Sequence, residues 1–518
     1  MEVKLVGINV PLKLLEKIKQ GLSLSDAEKN ALTPETITAA YARISRSNLS
    51  VDELLENSIN DTESARRSIT NILGIGHQSI ADHAIFNFNI QKVSRLAVEA
   101  IEERRLAGYT EKSQRYVTLT GDYVRPKEFS QEDLEKFEKL VALQNNFYFE
   151  ANKKLFDYLK EKYAKKIGEM KSENEKEKIL KKLENSAKED ARYSLSLATE
   201  TQLGCSYTGQ TLEYAIRVNK YGKLDEQREF AKKLFEETVK IAPSLIQLTD
   251  AELFEQIQGK KLVEDNFKST RKNLEEVVEK TIKKYLKKIN VETCETLFTN
   301  KSPDRNVIRV IHGNLDVNIL AALIHRNSKL SIVECYALAI LLIQNNDDKN
   351  FFLEGLKYLS EYDKMPREFE ISGLIFEAIV SASCFAQLKR HRMNTLLAQD
   401  YNPELGYTIP PNIQEIGFDK KLKEVCDASS ELYYEFSKYG KAAEYCLTNA
   451  HKRRVLLATN LRQLYHLSRT REDENAQWEI RKLFNNISYL VKQEAPITTL
   501  LLGGQHEFAD LRKKLYKD

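Results

Sequence analysis

The stretch "AIFNFNIQ", residues 84–91, alternates apolar and polar positions with period two, as a strand with one buried face does. Directly after it Val93, Leu96, Ala97, Ala100 and Ile101 recur at helical spacing, and Gly108 is placed to stop that helix. Much later, Ile379, Ala382, Phe385, Ala386 and Lys389 mark a similar face. Residues 475–496, "NAQWEIRKLFNNISYLVKQEAP", read as a long amphipathic helix closed by Pro496. Most of the remaining pattern has helical period, so the expected fold class is α+β and helix-rich.

The pattern also repeats. "AAYARISRSNLSVDE" (39–53) resembles "AALIHRNSKLSIVE" (321–334), and the helix ending in Glu103, Arg104 and Arg105 resembles the one ending in Arg390, His391 and Arg392. "YTGQTLEY" (207–214) resembles "TNLRQLYH" (459–466), and "KKLFEETVKIAP" (232–243) resembles "RKLFNNISYLVKQEAP" (481–496). Short likenesses arise by chance, but four in the same order point to two related halves in tandem. These are expected at 1–255 and 300–518, joined by a charged helical connector at 256–299. The amphipathic stretch 129–190 lacks a counterpart of similar length and reads as an insertion.

Composition narrows the function classes. The chain has 518 residues with a net charge of +3, too small a bias to announce a nucleic-acid or membrane-surface binder. The basic runs 165–185 and 283–290 interleave with Glu or lie on helical pattern, as solvated helix faces do. Six cysteines include no CxxC pair, the N-terminus does not read as a signal peptide, and no apolar run reaches membrane length. These features suit a reduced, cytoplasmic protein. The eight histidines show no ligand spacing, so no metal is expected, and neither GxGxxG nor GxxxxGK[ST] occurs.

Two polar clusters carry the candidate chemistry. Arg390 and Arg392 flank His391 at a helix end, where guanidinium groups can take a diphosphate and an imidazole can bond or stack on a flat ligand. The same residues also suit plain solvated cations at a helix C-terminus. Glu111, Ser113 and Arg115 alternate, so an extended backbone puts all three on one side, which suits a phosphate monoester or simply an exposed polar strand.

At these residues the chain resembles the flavin-dependent thymidylate synthases, whose pattern is RHR-x-x-S-x(4)-S-x-R. Residues 76–117 and 460–483 are similar to the two signature regions of that family, and the chain looks like two such subunits in tandem. The resemblance implies that the RHR residues hold FAD and that the first Arg, with a Gln three residues before it, reaches dUMP. Gln387, Arg390, His391 and Arg392 fit, whereas the first half has Ala100, Glu103, Arg104 and Arg105. It implies a dUMP-phosphate loop at Glu111, Ser113 and Arg115, followed by Tyr116, with Glu111 also toward the flavin. The second half has Ala398, Asp400 and Asn402 there. The motif serine is Gly108 in one half and Thr395 in the other.

The alternation continues. Arg192 matches a dUMP-binding Arg where the second half has Glu444. Asn460 and Arg462 match flavin-holding residues where the first half has Thr208 and Gln210. Arg471 matches the Arg that polarises the uracil ring, where the first half has Asn219, and Gln477 matches a flavin contact. A flavin-contacting His of the family is Asn475 here. Ser45, Ser79 and Asp82 match flavin positions, and His77, with Tyr116, folate positions; near Glu368 and Glu370 the alignment shifts by a residue or two, and nothing is assigned. The implied reading is complementary loss after duplication. One complete residue set per chain converts dUMP to dTMP with FAD, methylenetetrahydrofolate and NADPH, and a homodimer mimics the family's tetramer. The other readings are an inactive flavin- or nucleotide-binding homologue, a flavin enzyme acting on another pyrimidine nucleotide, and a purely structural helical protein.

Overall fold

A computed structural model describes residues 1–516 apart from 75–76, 118, 171, 260–299, 302–306, 311–313, 358 and 360–363. Most of the expected connector therefore lies outside the described residues. The chain is helix-rich α+β and clusters into two compact units, one within Met1–Lys287 plus Ile416–Thr448, the other within Lys288–Glu415 plus Asn449–Asp518. Ile416–Thr448, which the repeat pattern assigns to the second half, thus belongs to the first unit. Among the described residues no helix is long and apolar enough to cross a membrane.

The first unit is built on a four-stranded antiparallel sheet in the order β1 (Glu2–Ile8), β2 (Ile85–Ser94), β4 (Glu200–Thr208), β3 (Ala107–Glu111). Phe86, Phe88 and Ile90 of β2 are fully buried, as their alternation requires. Ahead of β2 lie α1 (Leu12–Lys19), α2 (Asp26–Asn30), α3 (Pro34–Arg43) and α4 (Val51–Asn60). Helix α5 (Arg95–Ile101) is shorter than the sequence suggests: it starts when the Ser94 hydroxyl accepts from Ala97 N and is over before Gly108, which lies in β3. The insertion forms α6 (Gln131–Lys162) and α7 (Glu173–Ala191), and α8 (Gly209–Lys220) and α9 (Asp225–Thr238) cover the sheet. Helix Asp419–Glu435 packs on α6, where the Gln144 amide, fully buried, donates to Ser429 Oγ at 3.0 Å and Cys446 O at 2.9 Å.

The second unit repeats this plan around β5 (Asn300–Lys301), β6 (Val307–Val310), β7 (Leu374–Ser381), β9 (Lys452–Thr459) and β8 (Thr395–Ala398), in that order and antiparallel. Its helices include α10 (Leu315–Arg326), α11 (Ile332–Gln344), α12 (Ala382–Leu388), α13 (Leu461–Arg471) and α14 (Trp478–Glu494), the last bounded much as the sequence predicts.

The two sheets keep the same register. Ser94 faces Glu200 and Phe88 faces Cys205; Ser381 faces Lys452 and Phe376 faces Leu457. They differ by one residue, since β2 carries a bulge between Gln91 and Val93 at Lys92, whose φ is +55°, and β7 pairs without a shift. Counting back through that extra residue puts Asp82 and Glu370 at the same place in their repeats.

Candidate functional site

In the second unit, the Ser381 hydroxyl caps α12 and donates to Glu479 Oε2 at 2.5 Å, fixing the helix that ends at the cation triplet. Asn460 caps α13 with its Oδ1, which accepts from Gln463 N at 2.9 Å, and the far end of α13 is Arg471. These two helix ends meet. Arg471 Nε donates to His391 Nε2 at 2.6 Å, and Arg471 Nη1 donates to Gln387 Oε1 at 3.4 Å. To accept there, His391 must be neutral with its proton on Nδ1. Burial, then the neighbouring Arg471, His466 and Arg390, lowers its pKa to about 3. The His466 ring stands edge-on to His391 at 6.1 Å. A neutral, partly buried imidazole and an amide oxygen thus fix the plane of the Arg471 guanidinium. Arg390 is exposed and Arg392 half-buried beside this cluster.

Arg462 donates from Nη1 to Glu370 Oε1 at 2.9 Å and from Nε to Met365 O at 2.7 Å. Arg367, and with it Arg462, holds the Glu370 carboxyl below its usual range. Glu370 went unassigned in the sequence because one bulged residue hides its alignment. Gln477, buried, caps α14 by accepting from Ile480 N at 2.9 Å, and Asn475 donates to Asp473 Oδ1 at 2.9 Å. In the first unit Asp82 accepts from the Thr208 hydroxyl at 2.9 Å, and with the Gln210 amide turned nitrogen-inward, from Gln210 at 3.1 Å. The Arg462–Glu370 ion pair is there an uncharged donor set on one carboxylate. Asp82, Ser79 and His77 lie on or just before the turn Gln78–His83, and Ser45 on the exposed turn Ile44–Arg46. Tyr41 of α3 meets His83 of the former turn edge-on at 4.8 Å.

The phosphate-loop candidates gather at the end of the insertion. Glu111 is buried and ion-paired with Arg95, the first residue of α5. Ser113 Oγ accepts from Arg115 N at 3.3 Å. Arg115 Nη1 donates to Glu189 Oε2 at 3.2 Å and lies over the Tyr116 ring at 4.6 Å. Arg192 follows Glu189 by one turn, opens the turn Arg192–Ser194, and is buried near Tyr148 of α6. The α7 C-terminus therefore holds both arginines, with a carboxylate on one of them. Glu189 was not foreseen, although its position three residues before Arg192 is the spacing of one helix face.

The replaced positions are housed differently. Asn219 folds back to donate to Ala215 O at 2.9 Å, and Arg104 pairs with Glu103 and lies over Tyr214 at 5.2 Å. Asn402 caps a turn through Glu404 N at 2.9 Å. Glu444, buried, pairs with Lys441 at 2.7 Å; these two positions answer to Arg192 and Glu189 with both charges reversed. The residue sets thus divide by unit: the Arg471 cluster, Asn460, Arg462 and Gln477 in the second, Glu111, Ser113, Arg115 and Arg192 in the first.

The chain matches the family model described as thymidylate synthase complementing protein twice, at residues 29–244 and 319–497. A flavin-dependent thymidylate synthase of Clostridium tetani is 28% identical over 216 residues, 41% of this chain and 81% of the relative. One from Pyrococcus furiosus is 34% identical over 124 residues, 23% of this chain and half of the relative. A UPF0159 protein of Thermoplasma acidophilum is 22% identical over 481 residues, spanning 86% of this chain and 90% of the relative. Two successive matches, one to each repeat and together covering most of the sequence, show that the chain belongs to the thymidylate synthase complementing protein family.

Proposed function

We propose that this protein is an FAD-dependent thymidylate synthase in which one working residue set per chain is shared out between the repeats. The reaction is dUMP plus methylenetetrahydrofolate plus NADPH and a proton to dTMP, tetrahydrofolate and NADP+. The observation that carries the reading is the Arg471–His391–Gln387 cluster, whose counterpart in the first repeat is Asn219, Arg104 and Ala100.

The donor chemistry fits a flavin dinucleotide. Arg390 and Arg392 offer guanidinium groups suited to a diphosphate, and Asn460 spends its oxygen on a helix cap, which leaves its amide nitrogen to donate. Arg462 and Gln477 would complete the flavin side, with Ser45, Ser79, Asp82 and Glu111 from the first repeat. Bound FAD supplies hydride transfer. Arg471, already oriented, stabilises negative charge as it develops on the pyrimidine ring. Gln387 and Arg390 position the nucleotide, and Ser113, Arg115 and Arg192 neutralise its phosphate, with Arg115 exchanging Glu189 for the ligand. Glu111, paired with Arg95, is held as a carboxylate acceptor at the head of that loop. His77 and Tyr116 are the folate-side candidates. No thiol is needed, and burial pushes the Cys205 and Cys426 thiols up to about 12, which makes both poor nucleophiles.

The test is to titrate the purified protein with FAD, count cofactor per chain, and then assay dTMP formation. One FAD per chain and turnover dependent on both Arg471 and Arg115 support the proposal. FAD binding without dTMP from any reductant points instead to an inactive binding homologue, and turnover of a different pyrimidine nucleotide to a related enzyme. Activity that survives Arg471→Ala sinks the assignment of the working set.

A further inference from the structure

We propose that Arg95 is a positioning residue that acts through Glu111 to set the root of the loop carrying Ser113 and Arg115. This role rests on the nucleotide loop assigned in the proposed function. Arg95 opens α5 and Glu111 ends β3. Their side chains form an ion pair with less than a tenth of either residue exposed.

The second repeat contains the same two places. Ser381 caps α12 as Ser94 caps α5, so Ala382 answers to Arg95. Cys205 faces Phe88 and Leu457 faces Phe376, which matches Leu203 with Val455 two residues earlier. Glu111 pairs with Leu203 and Ala398 with Val455, so Ala398 answers to Glu111. The backbone is tied alike at both places. Arg95 N donates to Thr199 O at 3.1 Å, and Ala382 N to His451 O at 3.0 Å. Lys112 N donates to Gln202 O at 2.9 Å, and Gln399 N to Arg454 O at 2.9 Å. One backbone plan thus carries a buried arginine–glutamate pair in the first repeat and two alanines in the second.

That contrast separates fold from function. Taking two charges out of water costs about what their attraction returns, so the pair is not retained for stability alone. Losing one member leaves a buried charge without its counter-charge, which explains why both are replaced together. The fold accepts either complete solution. The pair stays where Ser113 and Arg115 stay, and is gone where these are Asp400 and Asn402. Its guanidinium fixes the Glu111 carboxylate in charge and direction. After Lys112 the chain leaves the edge of β4 and turns, with Val117 N donating to Ser113 O at 3.2 Å. The place and direction from which Ser113 and Arg115 depart are therefore set at Glu111.

The experiment is a double-mutant cycle on the full chain, read by dUMP kinetics, FAD fluorescence titration and thermal melting. Arg95→Gln should raise KM for dUMP about tenfold and weaken FAD binding, with kcat within about threefold of native. Arg95→Lys should recover most of the loss because it keeps the charge. In a Glu111→Ala background, Arg95→Ala should leave KM unchanged and raise the melting temperature, since it removes a buried cation that has lost its counter-charge. This chain repeats the alanines found at 382 and 398, so it stays folded even where Arg95→Gln does not. Native KM and FAD affinity in folded Arg95→Gln, with both impaired in Glu111→Ala, would overturn the role of Arg95 and leave the proposed function standing. A further rise in KM when Arg95→Ala is added to Glu111→Ala would also overturn it, because Arg95 would then act independently of Glu111. A Glu111→Ala chain with native KM and FAD affinity would instead remove the loop assignment, and the role of Arg95 with it.

Discussion

His391 offers the sharpest test of the second-unit cluster. Its ring nitrogen accepts the Arg471 Nε proton at 2.6 Å, and the neutral form that makes this possible is kept by a pKa near 3. His391→Ala removes the acceptor of a charged donor, a loss of about 1.5–3 kcal/mol. If Arg471 acts on the transition state, that loss appears as roughly a 10- to 150-fold drop in kcat with little change in KM for dUMP. His391→Gln restores an acceptor and should stay within about tenfold of the native rate. The same histidine makes a pH prediction of defined sign. The unfolded chain takes up the imidazole proton near pH 6.5, and the folded chain only near pH 3. The stability contribution is thus complete above pH 6.5 and falls as the pH drops toward 3, by about 1.4 kcal/mol per unit. Between pH 6.5 and 4.5 native protein should lose about 2 kcal/mol that His391→Gln does not lose. Melting curves against pH for the two proteins measure this directly. Equal acid sensitivity, or an imidazole that titrates near 6.5 by NMR, would refute the buried neutral acceptor.

Both units give further tests. Glu189→Gln should lower KM for dUMP about two- to fivefold without changing kcat, because it frees Arg115 from a partly exposed ion pair; a higher KM would mean Glu189 itself binds substrate. Glu370→Gln should weaken FAD binding about fivefold or more through Arg462, leaving KM for dUMP unchanged, as fluorescence titration and steady-state kinetics would show. Arg390→Ala should abolish turnover and Arg104→Ala leave it nearly intact; the reverse result would exchange the working and silent sets. Mixing inactive Arg115→Ala and Arg390→Ala chains should restore activity if the working set is shared between chains, while inactivity with confirmed chain exchange means each chain supplies its own.

How far the sequence could be read depended on whether a residue's role is local. The period-two run of β2 and the amphipathic run of α14 carry their own signal, and both elements lie where it puts them. The extent of α5 was misjudged because helical spacing in Val93–Ile101 continues from strand positions, and the Ser94 cap that starts the helix is a single hydroxyl. Arg390–Arg392 and Ser113–Arg115 were legible as clusters of donors. That Arg471 meets His391, 80 positions away, was not legible from spacing, because it depends on two helix ends converging in the folded chain. Glu370 was lost to one bulged residue at Lys92, which a sequence comparison sees only as a slip of uncertain place. The helix Asp419–Glu435 crosses the expected boundary because its partners, such as Gln144, lie on the inserted α6.

The silent positions give the strongest argument that the retained ones are kept for chemistry. Each replacement is absorbed locally: Asn219 by a backbone carbonyl of its own helix, Glu103 by Arg104, Asn402 by the turn it caps, Glu444 by Lys441. The fold therefore does not need an arginine or an anion-binding loop at any of these places, since the same plan stands without them in the other repeat. The reversed pair Lys441–Glu444 makes this clearest. Against Glu189 and Arg192 it keeps local charge balance while removing the buried cation at the position of Arg192, the one feature a phosphate requires. Structural demand alone would let either member of each pair decay, leaving scattered remnants in both repeats. Arg390, Arg462 and Arg471, proposed for the flavin and pyrimidine side, instead persist together in one repeat where the other has Glu103, Gln210 and Asn219, and Arg115 and Arg192, proposed for the phosphate, persist together where its partner repeat has Asn402 and Glu444. A Glu444→Arg, Lys441→Glu double variant restores the missing charges without disturbing the pairing, so it should fold with native stability. If anion binding alone were limiting at the silent set, this variant would raise phosphate or dUMP stoichiometry. No gain is expected, because Asp400, Asn402 and Glu103 still oppose an anion, and a second bound dUMP per chain would refute the coupled character of the loss.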